Sequence, residues 1–492
     1  MAFTCNVFRG MNEAIYPTLT PEGTAYLIQD GATDDGKLTA LRLPKITQYT
    51  DPTRYGHYGN ANRSVVKWYG RYYWSDNVNG GYGGNVESLG IPYPEETDDG
   101  AYPLSIIKTS GTLTGKYKYC ITFVNPNGWE SAPGSDACYE TDTITLENHF
   151  ALLTLPTFPE GISYAKIWRT TADGATFYCV GESTTSGGTF TDEMTDTRAL
   201  QQEELAEDMY GNLPPREGGK YLCEQSGVFY LAVGSSLYVS HLNNPHAWPT
   251  TNFISFTDTI TGILPEFEGV LVFTLNATYR VVGATDIDNV SSVKIPTDQG
   301  CINWRSMAVL SNMPIWLGEQ GICTWDGQSI SCVSNNIMNL KNAKMNWGET
   351  YKSAYYLFMP NGTVIYDLSN GGTFTRLSFT ADYAWYNGTN NNFYLIKNNY
   401  ICVYAQGDSG YYYYVSPYLT QSEMAYQVYS EIIINATGIV WLSVYVDDKE
   451  ILLNKKLEGT ERKRIKLPVG TIGRRCQIAI RGNAKLTEYV VG

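Results

Sequence analysis

Between residues 226 and 404 the chain repeats one short pattern, two runs of alternating hydrophobic residues separated by a tight-turn pair. Residues 226–240 read SGVFYLAVGSSLYVS with Gly234-Ser235 at the turn, and residues 269–283 read GVLVFTLNATYRVVG with Asn276-Ala277 between the runs. Residues 312–330, NMPIWLGEQGICTWDGQSI, carry a second turn at Asp326-Gly327. Residues 353–368, SAYYLFMPNGTVIYDL, turn at Asn361-Gly362, and residues 391–404, NNFYLIKNNYICVY, at Asn398-Asn399. Asn, Asp and Gly tolerate the positive φ that two-residue hairpin loops need, so each unit predicts a β-hairpin. Anchored on Phe229, Leu271, Ile315, Tyr355 and Phe393, the spacings are 42, 44, 40 and 38 residues.

One hairpin cannot bury its apolar face alone, whereas units of about 40 to 45 residues packed around an axis can; that is the period of a four-stranded β-propeller blade. An earlier hairpin at residues 64–75, SVVKWYGRYYWS, has the same character, and its Tyr72 lies 157 residues before Phe229. Subtracting an insert of about 110 residues leaves roughly one blade spacing. The chain is therefore expected to be all-β, a propeller of about six blades interrupted by a second domain. Gly 47, Tyr 39 and Pro 21 fit turns and pleated surfaces, and 43% hydrophobic residues suffice for a buried core.

The expected order has five parts. Residues 1–100 hold N-terminal strands and the first blade. Residues 101–200 hold the insert, with six or seven short strands such as KYKYCITFVNPNGWESAPGS at 116–135 and ISYAKIWRTT at 162–171, and turn residues every 8 to 12 positions. That density fits a fibronectin III or immunoglobulin-like sandwich. Tyr117, Tyr119, Ile121 and Phe123 share one face, as do Ala165, Ile167 and Arg169 with Trp168 opposite. Residues 201–218 form an acidic linker carrying Glu203, Glu204, Glu207 and Asp208, read as a solvated face. Residues 219–417 supply the remaining blades, and 418–492 a C-terminal β-sandwich with inward Ile432, Ile434, Val440, Leu442, Val444, Cys476, Ile478 and Ile480.

The net charge is −14, which argues against a dedicated nucleic-acid reader, because binding phosphate takes clustered Lys and Arg. It is unevenly spread. Residues 418–492 hold 11 basic and 8 acidic residues, +3, against 24 and 41, −17, in the other 417. A basic end on an acidic body suggests a docking surface for an acidic protein partner, and solubility explains it equally well. The start, MAFTCNVFR, shows no basic stretch leading into an apolar one, so no secretory signal is read, and apolar runs such as Gly269 to Phe273 are too short to span a bilayer. The ten cysteines form no CxxC pairs and are expected as reduced, half-buried strand residues rather than disulfides or metal ligands.

No catalytic, cofactor or metal residue is nominated. The histidines are His57, His149, His241 and His246; the last two flank a Pro-containing loop with no third ligand nearby. Gly407-Asp408-Ser409-Gly410 matches the stretch around a trypsin-like serine, yet it runs into Tyr411 to Tyr414 and no base or orienting acid accompanies it. Asp286-Ile287-Asp288-Asn289 lacks the closing Glu of a Ca²⁺ loop. The pairs Asp34-Asp35, Asp98-Asp99 and Asp447-Asp448 sit in turn contexts, and sequence cannot set two carboxylates across a sugar ring. The aromatics Trp68, Tyr72, Tyr73, Trp74 and Tyr411 to Tyr414 either fill blade interfaces or stack on sugars.

The stretch GKYLCEQSGVFYLAVGSSLYVSHLNNPHAWP at 219–249, with FTDTITGILPEFEGVLVFTLNATYRVVG and QGCINWRSMAVLSNMPIWLGEQGICTWDG after it, resembles the propeller of tail nozzle proteins of short-tailed bacteriophages, also called tail tubular or packaged-DNA stabilisation proteins. ATGIVWLSVYV and VGTIGRRCQIAIRG are similar in character to that family's terminal sandwich. The likeness covers roughly residues 219–492. It implies a non-enzymatic virion tail protein, a homohexameric tube below the portal and its adaptor, contacting tail fibre or tail-tip proteins. Such a tube retains packaged double-stranded DNA and conducts it into the host without sequence-specific binding. The alternatives are a carbohydrate- or receptor-binding propeller and, less favoured, a glycoside hydrolase.

Overall fold

The structure is a computed structural model that describes residues 2–12, 24–34, 37–49, 62–135, 137–285, 289–335, 337, 340, 343–369, 371–388, 390–398, 400–408, 410–420, 424–459 and 462–492. It is all-β, a β-propeller with an inserted sandwich and a C-terminal sandwich. Among the described residues, six groups of three or four neighbouring strands follow one another as blades. The chain divides into two compact units, residues 62–271 with 280–293, and residues 1–61 with 272–279 and 294–492.

In the first unit, blade one is three-stranded, Arg63–Trp68, Arg71–Asp76 and Tyr82–Gly84. Blade two is Lys220–Gln225, Val228–Val233, Ser236–Val239 and Phe253–Ser255. Their turns explain the sequence pattern: Tyr69 and Gly70 have φ 43° and 81°, Ser226 and Gly227 φ 55° and 81°, the mirror-image turn whose twist matches paired strands. Tyr73, Leu89, Leu222, Phe229, Leu231 and Trp248 form one buried cluster between these blades. Two polar side chains stitch the same seam, Ser75 accepting from Leu222 N (2.9 Å) and Asn77 from Tyr221 N (2.7 Å).

Between those blades the insert folds into two three-stranded sheets, Tyr119–Val124, Tyr164–Thr170 and Phe177–Ser183 against Ser105–Tyr117, Ile144–Thr154 and Thr189–Asp192. Tyr119, Ile121, Phe123, Ala165, Ile167 and Trp168 are buried in its core. The insert ends in the short helix Asp196–Ala199, and the acidic stretch that follows contains a 3-10 turn, Glu207–Gly211.

Blade three, Gly262–Pro265, Gly269–Phe273, Thr278–Val282 and Ser291–Lys294, has residues in both units. The second unit carries blade four, Ala308–Leu310, Met313–Gly318, Gly321–Trp325 and Ile330–Cys332, and blade five, Trp347–Tyr351, Ala354–Met359, Gly362–Asp367 and Thr373–Leu377. Inner strands such as Gly321–Trp325 are buried at every position, which is why they read as continuous apolar runs. Two turns sit one residue earlier than the sequence suggests. Thr274 N donates to Ala277 O, centring one on Leu275-Asn276, and Met359 pairs with Gly362, so Pro360-Asn361 form the other. Proline has no N–H for the ladder and its fixed φ suits the turn.

Blade six, Tyr383–Asn387, Asn392–Lys397 and Tyr400–Val403, takes its fourth strand from the far N-terminal side, Lys45–Tyr49, with Tyr400 opposite Tyr49. Blades five and six share an aromatic seam in which Tyr351 stacks on Phe393 at 5.0 Å.

The terminal sandwich is continuous with blade five. Leu27–Gln29 pairs with Thr373–Leu377 on one side and with Tyr412–Val415 on the other. The sheet then runs through Cys476–Gly482, Glu431–Val446, Lys485–Val491, Lys37–Ala40 and Gly31–Asp34. Phe3–Cys5 adds to Lys485–Val491. Ile432, Ile434, Val440, Leu442, Val444, Cys476, Ile478 and Ile480 all lie in its core, where Tyr414 and Tyr489 share a hydrogen bond of 3.0 Å. Among the described residues no helix is long and apolar enough to cross a membrane.

Candidate functional site

The side chains singled out in the sequence do not converge. His241 lines an open cleft of about 400 Å³ with Glu207 and Asp208, and burial pulls its pKa down. His246 is buried in a different cluster, and His149 is half-buried with Nδ1 2.6 Å from Glu147 O. His57, Ser409, Asp286, Asp288 and Asp35 lie outside the described residues. Gly407 and Gly410 donate to Leu43 and Leu41 carbonyls (2.7 and 3.0 Å), so that stretch is clamped along the chain entering Lys45–Tyr49. Asp447 and Asp448, at φ 46° and 62°, are the turn between Glu431–Val446 and Lys449–Gly459. Asp447 accepts from Arg474 N and Arg475 N, and Asp448 pairs with Arg475. Tyr73, Tyr412 and Tyr414 are fully buried, Trp68, Tyr72 and Trp74 half-buried, and Tyr411 and Tyr413 exposed. Among the described residues no three His, Cys, Asp or Glu side chains are placed to hold a metal ion.

Three charged constellations stand out instead. In the first, Glu87 follows the last strand of blade one, and its side chain is 6% exposed. Its Oε1 accepts from Arg71 (2.6 Å) and Tyr73 (2.8 Å), its Oε2 from Asn127 (2.7 Å) and Asn125 (3.1 Å), and His246 Nε2 lies 3.4 Å away. Gly90 N donates to His246 Nδ1 (3.1 Å), which places the imidazole proton on the nitrogen facing Glu87. Arg71 and Tyr73 come from blade one, Asn125 and Asn127 from the loop after Tyr119–Val124, and His246 from the segment after Ser236–Val239. Burial alone would raise the carboxyl; the donors from His246, Tyr73 and Asn127 outweigh it and hold it at about 2. A carboxylate so saturated with donors has no proton to give near neutrality. It is a clasp joining two blades and the insert. Gly84 permits it, because a Cβ there would collide with the Glu87 carbonyl. Gly84→Ala is expected to displace Glu87 and cost roughly 1–3 kcal/mol, measured by urea unfolding.

The second constellation is inside the insert. Arg169 points inward beside Ala165 and Ile167 and is fully buried, its Nη1 2.7 Å from Asp192 and its Nη2 2.7 Å from Asp196. Nη1 also donates to Met194 O (2.8 Å) and Nε to Thr170 O (3.2 Å). Tyr119 OH donates to Asp192 (2.9 Å). Burial would lower the guanidinium pKa, but Asp192 and its neighbours raise it.

The third is on the surface of the terminal sandwich. In Arg462–Lys466 the strand period of two sends Ile465 into the core and Arg462, Arg464 and Lys466 outward, all three exposed. Arg464 reaches Glu431 (3.2 Å) and Arg462 reaches Glu488 (3.6 Å), while Lys466 has no ion pair among the described residues. The neighbouring edge strand Lys449–Gly459 adds exposed Lys449, Lys455 and Lys456 and, among the described residues, pairs only with Glu431–Val446. Lysine on an edge strand discourages indiscriminate strand pairing, and it presents positive charge to an acidic partner.

No protein-family model and no curated protein sequence matches the chain. Among solved structures it is similar to BamB from Moraxella catarrhalis, with 10% identity, a TM-score of 0.30, and 74% of this chain and 97% of that one covered. It is also similar to the Pan2 WD40 domain of Neurospora crassa, with 8% identity, a TM-score of 0.27, and coverage of 65% and 89%. The blade assignment rests on the strand pairing described above.

Proposed function

We propose that the chain is a non-enzymatic structural protein of a short bacteriophage tail, a nozzle subunit that assembles with copies of itself, six by the resemblance, into a conduit for double-stranded DNA. The observation that carries the reading is the partition of charge, −17 over residues 1–417 and +3 over 418–492. A wall that conducts DNA must not hold it, since every phosphate neutralised by Lys or Arg adds affinity and drag. The basic outward face of Arg462, Arg464 and Lys466 serves docking on a portal adaptor, tail fibre or tail-tip protein. The two buried clasps support the same reading, because their ionised groups fix blades and insert rather than face a substrate.

The test is direct. Mass spectrometry of purified virions should find this protein in the tail, and negative-stain images of it with its adaptor should show closed rings. A protein absent from every particle and monomeric beside the adaptor overturns the reading. Reversing Arg462, Arg464 and Lys466 to Glu should leave the circular dichroism unchanged and weaken docking roughly 100-fold or more through like-charge repulsion, measured as loss of the protein from assembled tails. Carbohydrate binding is the second reading. It draws on the terminal sandwich rather than a blade, where exposed Tyr411 meets Trp441 edge to face at 5.6 Å with Arg481 over its ring, and a glycan array separates the two.

A further inference from the structure

Blade four sets two of the ten free thiols directly opposite one another. Gly321–Trp325 and Ile330–Cys332 are joined through Asp326 to Ser329, and the register places Cys323 against Cys332. The backbone fixes what kind of pair this is. Val333 N donates to Ile322 O (2.9 Å) and Asp326 N to Ser329 O (3.3 Å), so 322/333 and 326/329 are hydrogen-bonded pairs. Alternation along an antiparallel ladder then makes 323/332 a non-hydrogen-bonded pair, the kind in which opposed Cα atoms stand about 4.5 Å apart and side chains are closest. That separation lies within the roughly 4.4–6.8 Å that a disulfide spans. Elsewhere in the described sheets opposed partners are not cysteines: Cys120 faces Trp168, Cys402 faces Ile46 and Cys476 faces Val446.

The two sulfurs have unequal surroundings. Cys323 is buried, with Sγ 3.5 Å from Gly321 O and 3.8 Å from Gln299 Oε1. Cys332 is partly exposed, with Sγ 3.9 Å from Ser334 Oγ. The neighbouring Cys323 thiol and Ser334 pull the Cys332 thiol down, while Cys332 and burial push Cys323 up. Cys332 is the member a solvent-borne disulfide can reach, so it attacks first and the buried Cys323 resolves.

We propose that Cys323 and Cys332 form a reversible dithiol–disulfide pair whose co-reactant is a small-molecule disulfide such as oxidised glutathione. The Cys332 thiolate attacks one glutathione sulfur, an S–S bond forms, and the other glutathione leaves as thiolate. Cys323 then gives up its proton, its sulfur attacks Cys332 Sγ, and the second glutathione departs. Two protein thiols are oxidised, one glutathione disulfide is reduced to two glutathiones, and the two thiol protons end on the leaving thiolates. The bond tethers the outer strand Ile330–Cys332 to the blade.

The experiment incubates the native full chain with oxidised glutathione, blocks remaining thiols with a maleimide, and maps peptides by mass spectrometry. The expected result is loss of two of the ten alkylatable thiols, a 323–332 linked peptide, reversal by dithiothreitol, and slower amide exchange across Ile330–Cys332. Cys323→Ser should stop at a glutathione adduct on Cys332, and Cys332→Ser should give neither product. A stable adduct on Cys332 in the unaltered protein with Cys323 still free, a link between other cysteines, or ten unmodified thiols each overturns the proposal. The unaltered protein alone decides it, so a variant that misfolds leaves the test intact.

Discussion

Arg169→Met is expected to destabilise the inserted sandwich by roughly 3–5 kcal/mol, because it strands Asp192 and Asp196 beside a dry core without their cation. Asp192 is wholly buried, and its remaining donors are Tyr119 OH (2.9 Å) and Met194 N (3.0 Å), neither of which carries charge. The measurement is hydrogen–deuterium exchange under increasing urea, following Tyr119–Val124 and Tyr164–Thr170. Both strands should lose protection at lower denaturant than in the unaltered protein, while Ala354–Met359 keeps its own. Arg169→Lys should recover part of the loss, since an ammonium neutralises one carboxylate but lacks the planar fork that reaches both. Unchanged protection in Arg169→Met would mean that the arginine contributes nothing net.

The second large effect concerns Glu87. Its carboxyl sits at about 2 in the folded protein against an ordinary 4.5. A carboxyl depressed on folding stabilises the native state fully above its unfolded value, and that contribution fades as pH falls from about 4.5 through 2. Converted at 1.36 kcal/mol per unit, the stabilisation is at most about 3–4 kcal/mol at neutral pH. Glu87→Gln removes the charge and turns an amide N–H₂ toward Arg71, Tyr73 or the asparagines, so a loss of roughly 2–3 kcal/mol is expected at pH 7. The loss should shrink toward pH 2, where the unaltered carboxyl is itself about half protonated. Urea midpoints across that range, read on exchange in Arg71–Asp76 and Lys220–Gln225, decide it. A constant difference between the two proteins from pH 7 to 2 would show that ionisation is not what matters.

How far these features can be read from sequence differs with their range. The hairpins of blades two to six announce themselves because each is local: a buried strand such as Val228–Val233 is closed by Ser226-Gly227 on one side and Gly234-Ser235 on the other. The pairings of Phe3–Cys5, Leu27–Gln29 and Lys45–Tyr49 are invisible by the same logic, since these strands are three to five residues long and their partners lie hundreds of residues away. Glu87 carries no signal at all. Its neighbours in Asn85-Val86-Glu87-Ser88-Leu89 read as a surface loop, and only the fold brings Arg71, Asn125, Asn127 and His246 around it. Arg169 left a trace, falling on the inward face with Ala165 and Ile167, where a charge demands partners. The thiol pair was not legible, because a turn read at Asp326-Gly327 sets Cys323 opposite Ile330; Asp326 N donating to Ser329 O centres the turn on Gly327-Gln328 instead and brings Cys323 opposite Cys332.

The strand Lys45–Tyr49 has a consequence for biosynthesis. It leaves the ribosome early, yet its partner Tyr400–Val403 is made about 350 residues later. During that interval it is a bare strand edge, and the sixth sheet in turn remains a three-stranded fragment until the early segment is recaptured. Closing so long a loop adds little entropy beyond a shorter one, because the penalty grows only logarithmically with length. The delay is kinetic. Nascent chains arrested before residue 400 should therefore be the aggregation-prone species, and protease resistance of this sheet should appear once Tyr400–Val403 has emerged.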